Sequence, residues 1–173
     1  MSQSLRSREE IEEIKKGIMP LNMIWGAMLG SLFMYLVVGL YTRNTINIPM
    51  EKDVLDKLRL ALYAASFVTL TATRSIRKFI LNRKPGIISR TTVPPKNPVI
   101  ARYTTAMVIA LALSESIGIY GLILFFMGKN AKDLSLFLLV AAAAMISYRP
   151  REEEIISLAK RMNQLKSGTT ERA

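Results

Sequence analysis

Two stretches of this chain leave few choices of fold. From Leu21 to Tyr41 no residue is charged and only Asn22 is strongly polar, and from Tyr103 to Gly128 the one charge is Glu115. Each run matches the roughly 20 residues that an α-helix needs to cross the hydrocarbon core of a bilayer. A soluble helix buried on all sides is the other structure that tolerates such a run, and two of them in 173 residues leave little surface to enclose them. The expectation is an integral membrane protein.

The rest of the chain fits two weaker spans between and after these. Leu60 to Thr73 is uncharged but short for a crossing, so a second span over about 59–77 relies on Arg59 and Arg74 extending their stems outward. A re-entrant or interfacial segment is the alternative there. A fourth span over about 134–148 is short too, and carries four alanines at 141–144. The expected fold is all-α, with four transmembrane helices in two hairpins (about 22–41, 59–77, 103–127 and 134–148) forming a domain over 21–150.

Amphipathic segments flank this domain. Over 1–20, Ser7 and Glu10 have capping-box spacing, Ile11, Ile14 and Ile18 share one face, and Pro20 marks the join to the first span. Over 151–173, Glu152, Glu153 and Glu154 precede Lys160 and Arg161, the order that suits a helix dipole. Ile155, Leu158, Ala159, Met162 and Leu165 there share one face. The charged N-terminal segment and the long apolar run after it argue against a cleaved signal peptide.

The formal net charge of +11 has an ordinary reading in such a chain. Basic residues cluster in 1–20, in the proline-containing linker 78–102 with the span end before it, and after Tyr148, whereas the other two loops hold few. This asymmetry places both termini and the linker on the cytoplasmic side of the cell (inner) membrane, against anionic headgroups. Nucleic acid is not an expected partner. The chain has no Cys and no His, which removes disulfides, thiol nucleophiles, histidine-ligated metals and histidine-based triads. No paired acids and no phosphate-cradling loop are present, so neither a catalytic constellation nor a cofactor or metal site is expected.

All the other acidic residues fall outside the spans, which isolates Glu115. An ionised carboxylate at mid-membrane is disfavoured by several kcal/mol, so this one is expected to be protonated or bound for most of its life. The structural alternative is a protonated Glu that bonds a neighbouring hydroxyl and holds helices together. Ala110, Ser114, Gly118 and Gly121 form a stripe of small residues about 100° around the helix from it, and Gly26 and Gly30 form a GxxxG pair in the first span. Both suit close helix packing.

The segment Ala112-Leu113-Ser114-Glu115-Ser116-Ile117-Gly118-Ile119-Tyr120-Gly121-Leu122 resembles the carboxylate-bearing helix of the c subunits, the proteolipids of F-type ATP synthase rotor rings. The resemblance covers the third span only. It implies that Glu115 is the ion-binding carboxylate, that Ser116 and Tyr120 help to close the site, and that the chain works as a homo-oligomer or beside other membrane subunits in proton movement. The other reading is a non-transporting accessory or scaffold subunit. Within the chain, Leu32 to Leu36 also aligns with Ile117 to Gly121, which sets Gly30 opposite Glu115.

Overall fold

The computed structural model describes residues 2–43, 45, 51–82 and 98–170, with side chains described for 17–43, 45, 51–82 and 99–162. Most of the basic linker therefore lies outside the described residues, as do the side chains of the Ser7–Glu10 capping box. The described residues form five helices and no strand: α1 (Ser2–Thr42), α2 (Lys52–Asn82), α3 (Pro98–Gly128), α4 (Ala131–Ser147) and α5 (Glu152–Thr170). Pro98, read from sequence as part of the linker, opens α3, where its fixed φ and missing N–H suit the first turn. Pro20 lies inside α1, so the N-terminal segment and the first span are one continuous helix.

The all-α expectation holds, but the count of four independent spans is corrected. Two helical segments, Gly17–Thr42 and Val99–Gly128, are long and apolar enough to cross a membrane on their own. α2 fails because charges at both ends leave only a short apolar centre rich in Ser and Thr. α4 has 17 residues and reaches the required length only together with α5, across a bend of 52°.

α3 is the hub. Gly17 and Gly39 of α1 lie against Ile100 and Phe125 of α3, so the two helices run parallel. Leu55 of α2 lies against Gly128, while Arg102 Nε donates to the Ile80 carbonyl (2.7 Å). α2 therefore runs antiparallel along the whole of α3. On the remaining side, a Cβ built at Gly121 would lie 2.5 Å from the Cβ of Phe137 in α4. Ala110 and Ser114 are buried, and Gly118 faces Leu32, Tyr35 and Leu138. The small-residue stripe is thus packed against α1 and α4. Gly26 and Gly30 differ: a Cβ at either meets nothing within 4 Å inside the chain.

This contrast gives a stability prediction. Gly121→Ala has rigid atoms to displace and should lower unfolding stability in detergent by about 1–3 kcal/mol. Gly30→Ala has open space and gains helix propensity, so stability should be unchanged or higher by up to about 1 kcal/mol. Thermal or SDS titration of the purified chain checks both, and equal losses would contradict the packing.

The α4–α5 break is closed by protein groups. Tyr148 N–H and Trp25 Nε1 both donate to the Met145 carbonyl (3.1 and 2.9 Å), and Arg151 N–H reaches Tyr103 Oη (3.3 Å). Interrupted helices are tolerated at membrane depth when such partners satisfy the freed backbone groups. α5 then packs Ile155, Leu158 and Met162 into the core.

Candidate functional site

Glu115 lies on the edge of α3 that borders α1. Its Oε1 is 2.6 Å from Ser31 Oγ and 2.8 Å from Tyr35 Oη. Ser31 and Tyr35 stand four residues apart, so both hydroxyls leave one face of α1 one turn from each other. Ser31 Oγ is also 2.7 Å from the Met28 carbonyl. On its other flank Glu115 borders a strip of α3 exposed at Val108, Ala112, Ile119 and Ile123. Among the described residues no buried side-chain oxygen lacks a hydrogen bond. Oε2 of Glu115, for which no hydrogen bond is found, is therefore not fully enclosed by the chain.

The other two residues expected at the site stand apart from it. Ser116 Oγ donates to the Leu113 carbonyl of its own helix (2.7 Å). Tyr120 is partly buried and packs against the core, about 140° around α3 from Glu115. Of Ser31 and Tyr35, which do bond Glu115, the sequence pattern touched only Tyr35, as the counterpart of Tyr120 in the internal alignment. The available signal was a Ser and a Tyr at i, i+4 in an otherwise apolar span.

Two ion-paired clusters bracket this carboxyl. Asp133 at the start of α4 is buried, 8% exposed. It accepts from Arg59 Nε (3.0 Å) and Asn130 Nδ2 (3.1 Å) at Oδ2 and from Tyr63 (3.1 Å) at Oδ1, with Arg59 Nη2 at 2.9 Å from Oδ2. At the other end, Glu154 of α5 pairs with Arg77 and accepts from Tyr103 Oη (3.0 Å), and Arg77 stacks over the Tyr148 ring. From Arg59 to Arg77 α2 rises about 27 Å, close to the roughly 30 Å of a hydrocarbon core. Glu115 lies about 18 Å along α3 from Tyr103 and about 20 Å from Gly128. The carboxyl is midway between the two charged girdles.

If the two α1 hydroxyls hold Glu115, removing them should loosen α1 from α3. Ser31→Ala and Tyr35→Phe should each lower stability by about 0.5–1.5 kcal/mol, the range found for hydrogen bonds between helices in membranes. The same substitutions made on Glu115→Leu should have much smaller effects. Additive losses in that double-mutant cycle would rule out the contact.

No protein-family model, curated protein or solved structure matches this chain. The reading of the site therefore stands on its geometry and on the local resemblance of 112–122.

Proposed function

We propose that this chain is a subunit of an oligomeric membrane complex, in which Glu115 takes up and releases one proton at mid-membrane. The hydrogen count at the carboxyl carries the reading. Three contacts meet there: Ser31 Oγ and Tyr35 Oη with Glu115 Oε1, and Ser31 Oγ with the Met28 carbonyl. A neutral acid with two hydroxyls supplies three hydrogens and satisfies all of them at once. A carboxylate supplies none, so Ser31 must then abandon either Glu115 or the Met28 carbonyl. This count places the proton on Oε1, shared with Ser31, and favours a carboxyl that holds one. The c-subunit-like sequence of 112–122 supports the same role, although the hydroxyls at Glu115 come from α1 rather than from Ser116 and Tyr120.

The girdles support a fuller membrane arrangement than α1 and α3 alone. α2 crosses beside α3, with Arg59 and Arg77 neutralised at its two ends, and α4 with α5 completes a broken span. Both termini then lie at the Arg77–Glu154 end. The basic asymmetry of the chain makes that end cytoplasmic, against the anionic headgroups of the inner membrane. A scaffold role is the second reading, because two bonds from one neighbouring helix also describe interhelical glue.

The test is labelling of the chain in native membranes with a hydrophobic carbodiimide, which adds to protonated carboxyl groups. Glu115 should be the modified residue. A Glu115 that stays unlabelled would leave the scaffold reading.

A further inference from the structure

Two arginines at the cytoplasmic end of α4 stack on aromatic rings, and only one of them has an acid. Arg77 lies 5.6 Å from the Tyr148 ring centroid and is neutralised by Glu154. Arg149 lies 5.6 Å from the Trp25 ring centroid, is exposed, and has no carboxylate partner among the described residues. Glu152 and Glu153 follow it on α5 but point to solvent without pairing to it. The indole under Arg149 is itself fixed, because Trp25 Nε1 donates to the Met145 carbonyl at 2.9 Å. A guanidinium already held over a fixed ring loses less freedom when it takes an anion.

Position says which anion. Arg149 directly follows Tyr148, whose ring carries Arg77 in the cytoplasmic girdle. In the membrane placement proposed above, that girdle lies where the hydrocarbon core gives way to headgroups. An exposed cation without a carboxylate there meets the phosphates of anionic lipid.

We infer that Arg149, seated on Trp25, binds the phosphate of an anionic phospholipid of the cytoplasmic leaflet. This rests on the membrane placement argued above and not on proton binding at Glu115. The site fixes that lipid to the α4–α5 break.

Native mass spectrometry of the full chain with phosphatidylglycerol or phosphatidylcholine tests it. Phosphatidylglycerol should be retained about fivefold better, the ratio that corresponds to about 1 kcal/mol for one cation at a membrane surface. Arg149→Gln should abolish that preference, whereas Arg151→Gln, an equal loss of charge two residues away, should change it by less than about twofold. Trp25→Leu keeps the charge but removes its seat, and should lower retention by about threefold even if Arg149→Gln folds poorly. Equal effects of the Arg149 and Arg151 variants would reduce the site to bulk charge and overturn the proposal. So would unchanged retention in Trp25→Leu, or displacement of the lipid by millimolar inorganic phosphate. A chain extracted without detergent would instead remove the membrane placement itself, a separate failure.

Discussion

Asp133→Ala should destabilise the folded chain by about 3 kcal/mol, measured by thermal or SDS unfolding in detergent. Asp133 is buried and takes bonds from Arg59, Tyr63 and Asn130 at 2.9–3.1 Å. Removing one partner of a buried pair typically costs about 3–5 kcal/mol, because the other charge is left unpaired. The lower end applies here, since the Arg59 side chain is 33% exposed and keeps Asp56 as a solvated partner. Asp133 is also an acid in the first turn of α4, where negative charge suits the helix dipole. Asp133→Asn keeps an acceptor for Tyr63 and should cost about half as much. Arg59→Ala on top of Asp133→Ala should add little, since the charge that was stranded is gone. A loss under about 0.5 kcal/mol for Asp133→Ala would mean that the cluster is solvated and holds nothing.

The same cluster shows where sequence reading stops. Arg59 was legible as a snorkelling residue at the end of a weak span, and Asp133 only as an acid outside the spans. Nothing local says that they meet across α2 and α4. Yet two of the three interhelical carboxyl groups are bound in one way, by a Tyr and a second residue four before it: Ser31 and Tyr35 on Glu115, Arg59 and Tyr63 on Asp133. The i, i+4 spacing is visible in the sequence, but its target depends on tertiary packing. The apolar runs of α1 and α3 and the isolation of Glu115 were legible because hydrophobic length and charge are properties of single segments. The span count was not, because α2 is long but charged at both ends and α4 reaches spanning length only together with α5. The packing of Gly121 and the open space at Gly26 and Gly30 likewise depend on neighbours, which a GxxxG or small-residue pattern does not name.

Glu115→Gln should separate the proton reading from the glue reading most sharply. Glutamine with its carbonyl at the Oε1 position accepts from both Tyr35 and Ser31 and turns its amide away from them. It keeps the interhelical contacts and has no proton to give up. Stability should therefore fall by no more than about 1 kcal/mol, for the Ser31 hydrogen drawn away from Met28. Carbodiimide modification should vanish, and any proton flux through the assembled complex in reconstituted vesicles should fall to background. Glu115→Leu keeps bulk but leaves Tyr35 without its acceptor, and should cost about 0.5–2 kcal/mol. Glu115→Asp keeps the proton but shortens the reach to both hydroxyls, so partial labelling with weakened packing is expected. If Glu115→Gln assembles normally and sustains the parent flux, Glu115 is glue and the proton moves elsewhere. If it assembles normally and flux stops, the three-hydrogen arrangement on α1 and α3 is the step through which the proton passes.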